Sequence, residues 1–526
     1  MSGFRDLPRN QYAGEDGLHL LHSAIAIGAS YDSIERYPPS RCHPQTRKVV
    51  FEIILAWLNH ANQGPSVLWV HGGPGEGKTA IAQTVSEYCA QTGQLGATFF
   101  FSHWKGDLSD GWLVFPTIAY KLASSIPEMR APLSRAIQAD TSILTQSLDV
   151  QVQKLIVEPY RMVPPPAAPT LIVVDALDAC DGDEMQHRIL TLLAQLIIVH
   201  RLPLCFLITS RPQPRLQATF DSPVFRKLST RIPLDAFTSD TDVRNFLLSE
   251  FASIRHSHPR TMSAFPHPWP SDAVLELLVQ NSGGHFLYPA TILKYVSDHQ
   301  GGRPADRLME VAGLAAATST LAPIDQLYHY ILSSSAEPAA LLRVLGPTVV
   351  LYTPLPPQEL EILLGARRGE VHAVLQDIRA LVECPEPAAP APVGGVRIAQ
   401  ATTVEFLLDI QRALQFWVEA GKYHAQLARG CIRYIAEYMD AADELDLASY
   451  QYVRRKWTRH LEQATPSAEL LEDLRQLRFV YSRVPAEVGA VVAWLQKIPD
   501  PHQDLLQLWQ SWQAELQPLP LARVSP

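Results

Sequence analysis

The sequence predicts an α/β unit built on a parallel sheet, followed by a long and mainly helical remainder. Three observations carry this. Val67–Val70 is a short apolar run that leads into a glycine-rich turn and then a stretch of helical spacing. Further continuous apolar runs, Ala97–Ser102, Leu171–Asp175 (LIVVD) and Leu204–Thr209, alternate with helical patterns. Strands apolar along their whole length are covered on both faces, which is the habit of parallel sheets. After Pro233 the spacing is helical, apart from two short strand candidates at Leu381–Cys384 and Val396–Ala399.

The glycine-rich turn is specific. Gly72, Gly77, Lys78 and Thr79 in VHGGPGEGKT fit G-x-x-x-x-G-K-[ST], the phosphate-binding loop. Glycines let backbone N–H groups turn inward around phosphate oxygens. Lys78 can set a point charge on the outer phosphates, and Thr79 can offer a hydroxyl to Mg²⁺. The helix that begins there aims its positive dipole end at the same anion. Asp175, closing LIVVD, stands where a carboxylate serving Mg²⁺ is expected. Asp178 follows in DALDACD; it orients an attacking water, supports the outer shell of the metal, or is a solvated turn acid. Arg211, in ITSRP, sits past a buried strand end. It either bonds the terminal phosphate and reports its loss or is an exposed turn arginine. Such a loop contacts phosphates only, so ATP, ADP and GTP are not distinguished by it.

The chain has 526 residues, 47% hydrophobic and 18% charged, with a formal net charge of −9. This composition suits a globular chain with sizeable cores and argues against a non-specific binder of nucleic acid or anionic membranes. Six cysteines, far apart and without a C-x-x-C pair, suit reduced thiols in the cytosol rather than a disulfide scaffold or zinc site. MSGFRDLPRNQ has no apolar signal core, and the longest apolar run, around Ile189–Val199, is too short for a membrane span.

Taken in order, residues 1–47 are a lead and entry segment, with one helix expected over Leu18–Ile27 and too little chain for a separate effector domain. Tyr31–Arg47 (YDSIERYPPSRCHPQTR) is either a surface connector or a loop packed beside a nucleotide. Residues 48–235 form the sheet unit, opening on a helix over 48–62 and closing on a strand near Leu228–Leu234. Residues 236–337 are read as a helical lid and 338–410 as a winged-helix-like unit. There PEPAAPAPVGG is a hairpin tip between the two strand candidates, after a helix over about 369–381. Residues 411–526 are an α-helical tail, its last helix spanning about 485–516. His256, His258 and His267 lie in a Pro-rich loop whose spacing fits no zinc site. Arg454, Arg455, Lys456 and Arg459 read as a solvated helix face rather than a nucleic-acid patch.

These motifs together resemble the NACHT NTPases of the STAND signalling class, and more narrowly the large NACHT families of mushroom-forming fungi. VHGGPGEGKT, LIVVDALDACD and LITSRP carry the resemblance most specifically; YDSIERYPPSRCHPQTR, FFFSHWKGD, FPTIAYKLA, SGGHFLYPATILKYV and PIDQLYHYIL extend it from about residue 18 to about 500. It implies an α/β P-loop NTPase of the ASCE/AAA+-like kind, then the lid, winged-helix-like unit and all-α tail. It further implies that Gly72, Gly75, Glu76, Gly77, Lys78, Thr79 and Ala80 wrap the phosphates, that Thr79 and Asp175 hold Mg²⁺, and that Arg211 is the strand-end sensor. The Arg41–Arg47 segment would lie near base or ribose. Exchange of ADP for ATP would open a cytoplasmic switch and allow homo-oligomerisation, with unknown effector and sensor proteins as partners, in fungal non-self recognition or programmed cell death. Two departures stand out. Ala179 replaces the Glu of the usual D-x-x-D-E, so any NTPase turnover is expected to be slow. Gln400 replaces the His that would touch the diphosphate in a closed state, so a weaker closed-state lock is expected.

Two other function classes also use a phosphate loop. An AAA+-like ATPase engaging DNA through its winged helix would want a basic wing, yet residues 335–410 hold five Arg and no Lys against nine Asp/Glu. A small-molecule kinase would not need the long helical extension.

Overall fold

Alternation along the strands decides the two faces of the central sheet. The computed structural model describes residues 16–516, apart from 38, 62–63, 104–106, 165, 167–168, 264, 266, 299–301, 318, 336–337, 386–394, 439–447, 478–483 and 500–501. Five strands, β1 (Val67–His71), β2 (Leu95–Phe100), β3 (Thr170–Asp175), β4 (Leu204–Ser210) and β5 (Ser229–Pro233), form one sheet in the order β2-β3-β4-β1-β5. Every pairing is parallel. Val67, Trp69, Phe99, Ile172, Val174, Phe206 and Ile208 face one core with the helices Val114–Ser125, Arg130–Ala139 and Asp183–Ile198. Leu68, Val70, Phe100, Leu171, Val173 and Leu207 face the other, against the helices Lys48–His60 and Lys78–Gln91. Both faces are buried, which is why the strands read as unbroken apolar runs. Each fully buried Leu, Ile or Phe is worth about 1.5–3 kcal/mol of transfer free energy.

The chain divides into two compact units. One comprises Met1–Leu293 with Arg303–Ala316, and the other Lys294–Gly302 with Ala317–Pro526. In the first, the sheet is followed by helices at Asp240–Ser257, Pro259–Met262, Asp272–Ser282 and Pro304–Ala316. The second holds helices Pro338–Val349, Pro357–Leu364 and Glu370–Leu375, then an antiparallel pair β6 (Val382–Glu383) and β7 (Arg397–Ile398) with an added bridge from Leu355 to Val396. Most of the expected hairpin tip, residues 386–394, lies outside the described residues. Among the described residues, six further α-helices of four to nineteen residues follow Ala401–Leu408, from Ile410–Ala413 through Ala420–Tyr438 to Gln503–Leu516.

Several local expectations are corrected. The tail helix expected over 485–516 is two helices, Pro485–Gln496 and Gln503–Leu516. Pro499 and Pro501, which cannot donate to a helix ladder, fall between them. The first helix stops at His22, and Ile27–Ala29 is a 3₁₀ turn. The helix expected over 369–381 ends at Leu375 and continues only as a 3₁₀ turn. Two short helices, Pro214–Phe220 and Pro223–Leu228, were not foreseen after Arg211; each starts on a proline, whose fixed φ suits the first helical turn. In the basic run, Arg455 and Arg459 are exposed, but Lys456 is buried and Trp457 fully so. That stretch is therefore partly a core-facing surface.

Candidate nucleotide-binding site

Because β4 lies between β1 and β3, the carboxyl ends of three adjacent strands meet at one edge. The phosphate loop leaves β1 there, Asp175 ends β3, and Ser210–Arg211 ends β4. Gly72 N–H donates to Ser210 O at 3.3 Å, tying the loop to β4. Asp175 is 1% exposed. One carboxylate oxygen accepts from the Thr79 hydroxyl at 2.8 Å and the other from the Thr209 hydroxyl at 2.6 Å. Thr209 in turn accepts from Ala176 N–H at 2.9 Å, where Ala176 holds a left-handed φ of 54°. Burial pushes the Asp175 carboxyl above its ordinary range, opposed by the bond from Thr209, by the Arg36 charge and by the bond from Thr79.

Asp178 lies on a 3₁₀ turn, Leu177–Ala179, and is 6% exposed. Its carboxylate accepts from Arg211 N–H at 3.0 Å and sits 3.5 Å from the Arg211 guanidinium. Burial lowers the Lys78 ammonium, and the Asp178 charge works against that shift. Lys78 Nζ donates to Gly72 O at 2.7 Å and Gly73 O at 2.6 Å, folding over its own loop.

The glycines of the loop have separate reasons. Gly75 (φ 77°) and Gly77 (φ 86°) adopt left-handed backbone that a side chain disfavours. A methyl at Gly75 would also meet Leu287 Cβ at 2.5 Å, and one at Gly72 would collide with the Glu76 carboxylate. Glu76 is 4% exposed; its carboxylate is folded inward, with His285 Nδ1 3.9 Å away, and its carbonyl accepts from Arg47 at 3.0 Å. Ala80, half-buried, lies on the first turn of the helix, where its carbonyl accepts from Thr84.

The entry segment runs along this helix. Tyr31 N–H donates to Thr98 Oγ1, Gln83 to Tyr31 O, and Cys42 N–H to Thr84 Oγ1. Arg47, 5% exposed, also bonds Phe237 O at 2.6 Å, and its N–H reaches Asp242. A cavity of about 190 Å³ opens among Cys42, His43, Pro44, Phe51, Ile81 and Thr84, one to two helical turns beyond Lys78. The Arg36 guanidinium lies 3.7 Å over the Phe100 ring, whose backbone is the register partner of Asp175.

Thr209 and Arg36 were missed from sequence: a threonine inside an apolar strand and an arginine in an irregular loop carry no motif. Leu287, in SGGHFLYPA, could have been noticed only by its nearness to two glycines. Gln400 belongs to the second unit, as the residue before the helix Ala401–Leu408. Among the described residues no group of three or more His, Cys, Asp or Glu side chains is placed to hold a metal, and His256, His258 and His267 make none.

The donor set near Lys78 consists of hydroxyl and carboxylate oxygens, hard ligands of the kind Mg²⁺ takes alongside phosphate oxygens. The half-buried Thr79 and the buried Asp175, bonded to each other, fit such an ion, and the positive-φ loop with Lys78 fits the phosphates beside it. The family model described as Nephrocystin 3, N-terminal, matches residues 50–211, which hold the loop, Asp175, Asp178 and Arg211. Residues 50–211 are similar to that family, and a phosphate loop leaving β1 of a parallel sheet is the arrangement of a P-loop NTPase core. The alignments with solved structures are of low score and low identity. A STAND protein with a tetratricopeptide repeat sensor from Pyrococcus horikoshii aligns with a TM-score of 0.39 at 10% identity, over 88% of this chain and 60% of that one. This chain thus spans about three fifths of that protein's length. The ORC1 protein of Aeropyrum pernix, solved in complex with DNA, aligns at 0.33 and 14% identity, over 71% of this chain and 94% of that one. Cdc6p from Pyrobaculum aerophilum aligns at 0.33 and 14% identity, over 72% and 97%. No curated protein matches.

Proposed function

We propose that this protein is a nucleotide-operated switch that binds ATP and ADP with Mg²⁺ and couples their exchange, or slow hydrolysis, to opening and homo-oligomerisation. The observation that carries it is the cluster at the sheet edge: Thr79 and Thr209 on Asp175, beside Asp178 on Arg211, with Lys78 on the same loop. Thr79 and Asp175 would hold the metal. Gly72, Gly75, Gly77, Lys78, Ala80 and the backbone of Glu76 would surround the phosphates, and the cavity at Cys42–Thr84 would take the base. Arg211 would bond the terminal phosphate and, when it leaves, relax onto Asp178. A conformational change of this kind can be only as large as the difference in affinity of the two states for the two nucleotides.

The boundaries proposed with it are 48–235 for the NTPase, 236–337 for a lid, 338–410 for a winged-helix-like unit and 411–526 for the tail. Gln400 would give a weaker closed-state lock than a histidine. The setting fits a cytoplasmic signalling protein with effector and sensor partners, of the fungal NACHT kind that the motifs resemble. Among the described residues no helix is long and apolar enough to cross a membrane.

Fluorescent-nucleotide titration tests the site: Lys78→Ala should weaken binding at least ~30-fold, the lower end of losing one partner of a buried charge contact. Native mass measurement with ADP and with a non-hydrolysable triphosphate tests the switch, and a monomer in both sinks it. The DNA-engaging alternative meets an acidic 335–410 segment; a salt-dependent DNA shift by the full chain would reverse that ranking.

A further inference from the structure

The phosphate loop carries a buried acid that the phosphates themselves do not need. The Glu76 carboxylate lies folded against the backbone of Gly72 and Gly73, where a methyl on Gly72 would collide with it. Its Oε2 has no hydrogen-bond partner among the described residues. Its Oε1 faces His285 Nδ1 at 3.9 Å, and that ring nitrogen is likewise buried without a hydrogen-bond partner. The chain after the helix Asp272–Ser282 brings the two together. Gly283 (φ 54°) and Gly284 (φ 77°) turn it there, Gly284 lies against Thr238, and Leu287 lies against Gly75 of the loop. A buried carboxylate without compensation is costly, and so is an unmade hydrogen bond on the ring that faces it. One proton on the imidazole removes both costs, because the cation can draw in to the carboxylate as a charge-assisted bond.

The other charged groups around Glu76 are engaged elsewhere. Lys78 donates to Gly72 O and Gly73 O, and Arg47 donates to the Glu76 carbonyl while its N–H reaches Asp242. Burial lowers the His71 imidazole, which feels Asp235 and Arg231 as well as Glu76 and Lys78. Among the described residues, His285 is the only side chain able to carry a positive charge within 4.0 Å of the Glu76 carboxylate. Imidazole is the side chain whose charge ordinarily changes between about pH 5 and 8. Phosphates seated on the backbone of the same loop add negative charge beside Glu76 and so favour the protonated pair.

We propose that Glu76 and His285 are a proton-linked pair that positions the phosphate loop, so that binding of a nucleoside diphosphate or triphosphate takes up one proton from solvent and tightens as pH falls. Without that proton the Glu76 charge opposes the phosphates; with it the pair is neutral and holds the loop against the segment of His285. This rests on the reading of the Lys78 loop as a nucleotide site.

The full chain with Mg²⁺ and a fluorescent ADP tests it between about pH 6 and about pH 8. Affinity of the parent should fall about tenfold over that range, within the limit that one linked proton sets. Glu76→Gln should bind at the upper pH as tightly as the parent does at the lower, with little pH dependence left. His285→Leu should bind weakly at both, and His285→Lys, a cation throughout, tightly at both. ADP and His71 titrate alike in the parent and the His285 variants, so the comparison removes them. Calorimetry in two buffers of unlike ionisation heat should count about one more proton taken up by the parent than by Glu76→Gln. Lys78→Ala should abolish the signal, which ties it to the loop. A parent that binds at no pH sinks both the nucleotide site and the pair. A parent that binds with the same pH dependence as Glu76→Gln and His285→Lys sinks the pair alone, and these two variants decide the matter if His285→Leu does not fold.

Discussion

The Thr79 hydroxyl donates to the Asp175 carboxylate at 2.8 Å across 96 residues of chain. This bond joins the phosphate loop to the acidic strand, and it is made inside the protein, where a charge is costly. Asp175→Asn should therefore separate stability from function. Burial raises the folded-state carboxyl above its unfolded value, so between those two values stability falls as pH rises, and the cost stays in full above them. At neutral pH the asparagine variant should melt at a higher temperature than the parent without nucleotide, yet lose the stabilisation that Mg²⁺ and nucleotide give the parent. A scanning fluorimetry series with and without both ligands checks this. A variant that melts lower in their absence contradicts it.

Gly75→Ala should cost about 2 kcal/mol of stability. Its φ of 77° is strained for alanine, and its methyl would press on Leu287 Cβ at 2.5 Å. Gly93→Ala is the control, since it shares a positive φ of 72° but meets nothing within 4 Å. Urea unfolding of both should show the larger loss at Gly75, and the difference measures the contact with Leu287.

Ala179→Glu tests the proposed slow turnover. Ala179 is 4% exposed and packs in the core cluster behind the sheet edge. Glutamate there should raise hydrolysis by about 10²-fold, the lower range for a positioned general base. It should also lower the melting temperature, because a carboxylate placed in an apolar setting is penalised. Phosphate release and melting measured on one preparation give both readings. Lower stability with unchanged turnover would mean that the missing base is not what limits the reaction.

In the second unit His424 Nδ1 and His460 Nδ1 are 2.8 Å apart, and Tyr452 OH is 2.6 Å from His460 Nε2. Burial lowers His424 to about 4 and His460 well below its ordinary value. Both are neutral when folded, and the unfolded chain takes up protons first as pH falls. Stability should accordingly drop between pH 6.5 and about 4, by ~3 kcal/mol from His424 alone. His424→Gln should flatten that part of the stability–pH curve, measured by denaturant unfolding at half-unit steps.

Much of the site was legible before the fold. Lys78, Thr79, Asp175, Asp178 and Arg211 each follow from a residue type at a strand end or in a glycine loop, and all five come together at one edge. Thr209 was not legible, because a threonine within FLITS looks like strand filler until β4 is inserted between β1 and β3. Arg36 was not, because its place over Phe100 depends on an irregular segment returning across the sheet. The short helices after Arg211 escaped since six or seven residues give too little periodicity to read.

By itself the sequence determined what is local: which runs are apolar enough to be buried strands, where glycines permit left-handed backbone, and which short motif can bind phosphate. The tertiary structure decided what is not local: the strand order, the Asp175 bonds to Thr79 and Thr209, the approach of His285 to Glu76 and the His424–His460 pair. The physical reason is that hydrogen bonds, burial and charge act through distances of a few ångströms, and residues scores of positions apart reach those distances only after the chain has packed.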